Sequence, residues 1–170
     1  MPPKKTRKSP TSSARVCEIR EVDTGGKRLA RFDIVCNGRV GGYIKLTKTK
    51  LRGKVVWNVE DIQVDSELRR GGYGTALYTA AATFACKKRS RLASLTRNVG
   101  AHSHAFWLKQ EQKGRARRIK RPTEYIQDPM HRYRAHSADI YDAFVLTECG
   151  PVIDLRGVAV AKRRKRRLAR

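Results

Sequence analysis

Residues 69–75 read Arg69-Arg70-Gly71-Gly72-Tyr73-Gly74-Thr75, and an alanine-rich run, TALYTAAATFA, occupies residues 75–85. Glycines permit positive φ and let the main chain pass close to a ligand. A helix starting there offers amide hydrogens without intrahelical partners, at the positive end of its dipole. Together they form a seat for a pyrophosphate. The spacing excludes two other phosphate loops. Neither G-x-x-x-x-G-K-[ST], the triphosphate P-loop, nor G-x-G-x-x-G, the dinucleotide fingerprint, occurs in the chain.

Upstream of the loop the apolar period is two. Cys17 and Ile19 alternate with Glu18 and Arg20, then Asp23-Thr24-Gly25-Gly26 signals a turn. Ala30, Phe32, Ile34 and Cys36 share one face of a second strand, and Asn37-Gly38 is a strong hairpin dipeptide. Val40 to Leu46 reads as a third strand, and Leu51-Arg52-Gly53-Lys54 turns into a fourth, Val55 to Val64. Three hairpins in series predict an antiparallel meander. In the fourth strand Val55, Trp57 and Val59 share one parity, whereas Ile62 and Val64 share the other. A change of phase needs one inserted residue, so a β-bulge is expected near Glu60-Asp61.

Downstream the period becomes helical from Gly74 to Arg89, with Leu77, Ala80, Ala81, Phe84 and Ala85 on one face. Leu92 to Thr96 reads as a short strand, Ala101 to about Gln112 as a second helix, and Tyr141 to Thr147 as a last strand. Residues 113–140 give no clear periodicity. There is no internal repeat.

At this point the chain resembles a family. Arg69-x-x-Gly72-x-Gly74 matches the [QR]-x-x-G-x-[GA] signature of the GNAT N-acetyltransferases, and it stands between a strand and a helix as that signature does. Asn98-Val99-Gly100-Ala101 and Ala105-Phe106-Trp107-Leu108-Lys109 look like the family's later N-x-x-A and F-[YW]-x-K helix. The resemblance covers about residues 15–147. It implies an α+β fold with a mainly antiparallel twisted sheet, flanking helices, a bulged fourth strand and a V-shaped cofactor cleft.

The cofactor so implied is acetyl-coenzyme A. The resemblance assigns its pyrophosphate to the main-chain amides of Arg70, Gly71, Gly72, Tyr73, Gly74 and Thr75, beside Arg69. The pantetheine arm would lie along Ile62 and Val64, with Asn98 and Trp107 nearby. Two positions depart from the pattern. Asn58 stands where many members carry a glutamate, leaving Glu60 and Asp61, two and three residues on, as candidate bases. Trp107 stands where many carry a proton-donating tyrosine, and an indole is no usable acid. Tyr141 is a candidate substitute, as is Tyr133. His102 and His104 lack further ligands in reach and read as structural, so no metal is expected.

Charge marks the chain as strongly as the loop does. It carries 39 Lys+Arg against 15 Asp+Glu, a formal net charge of +24. The first twelve residues hold four basic residues and the last thirteen hold seven, with no acid in either, which leaves +13 on residues 13–157. The division expected is a basic tail over 1–13, a domain over 14–157 and a second basic tail over 158–170. Self-repulsion on this scale calls for a polyanionic partner. Lys113, Arg115, Arg117, Arg118, Lys120 and Arg121 form one candidate nucleic-acid site, and Lys162, Arg163, Arg164, Lys165, Arg166 and Arg167 another. Nothing resembles a base-reading motif, so binding should be sequence-tolerant and salt-dependent.

The expected activity is acetyl transfer to an amine on a nucleic-acid-associated acceptor. The alternative is a structural nucleic-acid-binding protein of a ribonucleoprotein or virion that keeps the fold with weakened or lost catalysis. Cys17, Cys36, Cys86 and Cys149 are widely spaced without a C-x-x-C pair, and the expectation is free thiols in a reducing compartment. No apolar run reaches membrane-span length. The expected location is cytoplasmic, or nuclear or virion-packaged if the tails act that way, within a large assembly if the charge is matched there.

Overall fold

The computed structural model describes residues 17–95, 101–120 and 142–149. The expected tails lie outside these residues. Four strands open the chain, β1 (Cys17–Val22), β2 (Leu29–Cys36), β3 (Arg39–Leu51) and β4 (Lys54–Val64), joined as an antiparallel meander. A 3-10 turn (Ser66–Leu68) leads into α1 (Tyr73–Lys87), β5 (Arg91–Ser94), α2 (Ala101–Gln112), β6 (Ala116–Ile119) and β7 (Ala143–Leu146). The seven strands form one sheet in the order β1-β2-β3-β4-β5-β7-β6, in which only β4 and β5 run parallel. The α+β fold expected from the sequence is the fold observed.

Both helices cover the same face of the sheet. Alternation along β2, β3 and β4 sends Phe32, Ile34, Ile44, Leu46, Trp57 and Val59 to that face, where they join Leu77, Tyr78 and Ala81 of α1. The alanines at 76, 81, 82 and 85 are buried and keep α1 close to the strands. Phe84 sets its ring edge against both Phe32 and Trp57, at centroid distances of 5.6 and 4.9 Å. From α2, Phe106 stacks on Tyr78 at 3.8 Å, and Trp107 packs between Tyr78 and Phe144. A smaller cluster, Leu51, Val56, Ala93, Ile119 and Ala143, lies on the opposite face.

Two register shifts shape the meander. Lys45 pairs with Asp61 and Leu46 with Val59, so Glu60 is an inserted residue: the bulge expected from the phase change is there. The second shift gives no period-two signal. Ile34 pairs with Gly42 and Val35 with Val40, which makes Gly41 the extra residue. Its carbonyl accepts the Asp65 amide at 2.9 Å. A Cβ at Gly41 would collide with the Leu68 side chain. That close approach seats the 3-10 turn on β3 and fixes where the glycine loop begins.

The cysteine expectation is corrected. Cys17 lies directly opposite Cys36 in the β1–β2 register, with Cα atoms 4.1 Å apart, and the two form a disulfide. Cys86, near the end of α1, is joined to Cys149 after β7. Sequence separations of 19 and 63 conceal both pairings, because register and packing bring the thiols together, not spacing. Residues 116–119 were also unreadable from periodicity. They form β6 at the sheet edge, where Arg117 and Arg118 occupy strand positions. No helix among the described residues is long and apolar enough to cross a membrane.

Non-reducing peptide mapping should recover a 17–36 and an 86–149 cross-link, and reduction should lower unfolding free energy by about 2–4 kcal/mol. Alkylation of all four thiols in unreduced protein would contradict the pairing.

Candidate functional site

The site begins where β4 ends. Arg69 closes the 3-10 turn by donating its amide to Asp65, while its side-chain Nε donates to the Val64 carbonyl at 3.0 Å. Its guanidinium thus braces the loop against the strand. Arg70 adopts φ +68° and Gly72 φ +78°, both left-handed. For arginine this conformation costs about 1–2 kcal/mol, strain the surrounding turn must hold. The Tyr73 ring lies across Gly71 and packs on the core.

Gly72 is the N-cap of α1 and no side chain caps the helix. The first helical bond runs from the Ala76 amide to the Gly72 carbonyl at 3.0 Å. The amides of Gly72, Tyr73, Gly74 and Thr75 therefore receive no acceptor among the described residues. Gly71 differs: its amide donates to the Leu68 carbonyl at 3.2 Å, so it is committed within the loop and drops out of the expected anion-binding set. Four convergent amides, a dipole and no competing cap fit a diphosphate.

Beside the loop the sheet comes apart. β4 and β5 pair only over Val56–Asn58 and Arg91–Ala93. At the next step the Asn58 Oδ1 accepts the Leu95 amide at 2.7 Å, a side chain replacing the ladder. Beyond it β4 continues through the bulge to Val64, while β5, paired with β7 on its other edge, ends at Ser94. Ile62 and Val64 are half-buried against the helix face. Glu60 and Asp61 are exposed, and their partners place both carboxylates on the opposite face. Glu60 accepts from the Thr47 hydroxyl at 2.9 Å and Asp61 from the Tyr43 hydroxyl at 2.6 Å.

Tyr43 was missed in the sequence. Its hydrogen bond to Asp61, followed by partial burial and the Asp61 charge, raises its pKa above the ordinary tyrosine value, and Arg31 opposes this. The Arg31 guanidinium and the Lys45 ammonium lie 4.7 and 5.2 Å from its ring centre. The one available signal was the hydrogen-bonding tyrosine at a half-buried strand position facing the bulge, which needs the register to be seen.

The remaining predicted residues disperse. Trp107 is wholly buried in the core. Its indole N–H has no hydrogen-bond partner among the described residues, and the hydroxyl of the neighbouring Tyr78 is bonded to Ser103 at 2.9 Å. It is a packing residue here. His104 sets its ring edge against Phe144. No cluster of three metal-ligating side chains occurs among the described residues. Lys113 and Lys120 flank β6, and Arg115 ends the turn into it. Arg118 is held by Glu111 at 2.7 Å and by Asp142 at 3.5 Å, which takes it out of a free phosphate-binding set. Asn98, Tyr141, Tyr133, Arg121 and Lys162 to Arg167 lie outside the described residues.

The sequence profile of the acetyltransferase (GNAT) family matches residues 6–111. Among solved structures, an aminoglycoside acetyltransferase, meta-AAC0020, from an uncultured soil metagenomic sample in complex with sisomicin is 18% identical. The match covers 51% of this chain and 59% of that one, with a TM-score of 0.44. AAC(6')-Iy in complex with a bisubstrate analogue, CoA-S-monomethyl-acetylneamine, is 22% identical over 53% and 63% of the two chains, at a TM-score of 0.44. A GNAT-family acetyltransferase from Staphylococcus aureus Mu50 is 16% identical over 69% and 66%, at 0.45. This chain thus spans about three fifths of the length of the first two. No curated protein matches it in sequence.

The loop geometry separates two glycines. Gly72→Ala should lose about 1–2 kcal/mol in urea unfolding, because φ is left-handed there. Gly74→Ala should stay within about 0.5 kcal/mol of the parent, since its Cβ would meet only Val64 Cγ2 at an ordinary 3.8 Å. Equal losses at both would contradict the assigned loop.

Proposed function

The chain belongs to the GNAT acetyltransferase family, and on that premise we propose that it transfers an acetyl group from acetyl-coenzyme A to an amine. One observation carries the reading: the uncapped N-terminus of α1 lies against Val64, at the end of the stretch of β4 that runs on past its last pairing with β5. Amides of Gly72, Tyr73, Gly74 and Thr75 hold the diphosphate, with exposed Arg70 beside them. The main chain of β4 from the bulge to Val64 receives the extended arm as a strand receives a neighbour. When bound, acetyl-coenzyme A supplies the activated acetyl group.

The chain's own residues handle the amine. An ammonium cannot attack a carbonyl, so a nearby carboxylate must draw off its proton, directly or through one water. Asn58 carries no such group, and its side chain is engaged with Leu95. We assign that task to Glu60. It is the inserted residue, it is exposed, and its bond among the described residues is to a neutral hydroxyl. Asp61 holds the Tyr43 hydroxyl and lends negative charge that attracts a cationic amine. With its raised pKa, Tyr43 keeps its proton at neutral pH and remains a donor.

The acceptor we favour is an amine already carried on nucleic acid, such as an aminoacyl-RNA or a protein bound to DNA. A chain with a net charge of +24 repels free polyamines and is drawn to a polyanion. A second reading has specific support: Asn58 and the core-bound Trp107 leave two customary proton-handling positions empty. In it the fold serves as a nucleic-acid-binding scaffold without turnover.

With acetyl-coenzyme A and an RNA-linked amine, Glu60→Gln should lower kcat/KM about 100-fold and leave cofactor affinity unchanged. An unaltered rate would remove Glu60 from the chemistry. Efficient acetylation of spermine with none of the RNA-linked amine would overturn the acceptor class. Nucleic-acid binding without cofactor binding would leave the scaffold.

A further inference from the structure

On the sheet face away from both helices, and around its end, runs a groove of ≈ 800 Å³ far from the loop. Its floor is aliphatic: Leu51, Val56, Ile119 and Val145. Its rim carries Arg52, Lys54, Arg89, Arg91 and Arg117, and no acidic residue lines it among the described residues. Lys54, Arg89, Arg91 and Arg117 form no ion pair among the described residues, whereas the neighbouring Arg118 is neutralised by Glu111 and Asp142. Segments far apart in sequence therefore converge on one apolar channel, and four of the five cations they bring have no ion pair among the described residues. The β3–β4 hairpin brings Arg52 and Lys54, the turn from α1 into β5 brings Arg89 and Arg91, and β6 brings Arg117.

Uncompensated charge at such density is unfavourable unless a polyanion fills it. Four of the five cations are arginines, whose planar forks match phosphate oxygens. The aliphatic floor, with Val55 exposed at its edge, offers a dry surface to sugar and base faces that a duplex would keep stacked. We propose that this groove is the docking track for single-stranded nucleic acid. The proposal rests on the reading of a nucleic-acid partner given above, but not on acetyl transfer.

Position separates the two sites. Lys54 begins β4 and Val64 ends it, and ten residue steps at about 3.3 Å each put the groove about 30 Å from the glycine loop. A strand can therefore lie in the groove while the cofactor seat stays open. The groove would hold the nucleic acid that carries the acceptor, and it reads no bases.

The test uses the full chain and a fluorescein-labelled twenty-residue oligothymidylate, titrated over a salt series. Lys54→Glu/Arg117→Glu should weaken binding at least tenfold near physiological salt. It should also flatten the slope of log K against log salt by about 1.4, the expectation for two lost single-strand phosphate contacts. Arg28→Glu/Arg39→Glu removes the same formal charge elsewhere and should change affinity less than threefold. Lys54→Gln/Arg117→Gln serves if the reversed pair fails to give the parent's circular dichroism melt, and it should weaken binding in the same direction. Equal losses in the groove and remote variants would overturn the proposal, as would wild-type binding by the groove variants, which would mean another segment carries or covers the contact. Polyglutamate competing as well as oligothymidylate would overturn the nucleic-acid assignment in favour of an acidic protein. Acetyl-coenzyme A affinity, measured on the same variants, should not move. Its absence in every protein would count against the transferase and leave the groove standing.

Discussion

The rest of the site depends on a phase constraint in β4. Trp57 and Val59 must face α1 at one end of the strand, and Ile62 and Val64 must face it at the other. These two demands are out of step by one residue, and Glu60 absorbs the difference. Without the insertion, the second half of the strand would turn its apolar side chains to solvent. The same bulge sets two neighbouring carboxylates on the face opposite the helices. A packing requirement thus positions acidic groups that alternation alone would have sent to opposite sides.

A second constraint acts at Asn58. The parallel ladder with β5 lasts three residues, and the amide side chain of Asn58 then takes over the Leu95 N–H. This asparagine therefore has a structural task at the mouth of the opening. The loop that follows is anchored from below by the contact between Gly41 and Leu68 and braced by Arg69. Through α1, whose alanines press it to the sheet, the core fixes the direction in which the uncapped amides point. Stability and ligand geometry are therefore coupled in one element.

Much of this was legible in the residues, and the misses share a cause. The meander, the bulge, both helices and the loop each have a local signature: period two, a change of phase, period 3.6, and glycines before an alanine run. Gly41 has none, because its role is visible only when β3 is seen under the 3-10 turn. The Cys17–Cys36 disulfide and the Tyr43–Asp61 bond are set by strand register, which joins residues 19 and 18 apart without leaving a mark on spacing, and the Cys86–Cys149 disulfide is set by where α1 and the end of β7 meet. The basic run at 113–121 hid a strand because charge swamped its alternation. Once folded, Arg118 and Arg117 prove to have different environments, one ion-paired and one on an open rim.

Whether α1 offers its first-turn amides to a diphosphate can be read residue by residue. Titration of isotopically labelled protein with coenzyme A, followed by amide nuclear magnetic resonance, is the direct measurement. Saturable shifts concentrated on the amides of Gly72, Tyr73, Gly74 and Thr75, with Gly71 little changed, are the predicted result. Saturable binding that leaves those four amides unmoved, or no binding at all, would contradict the account.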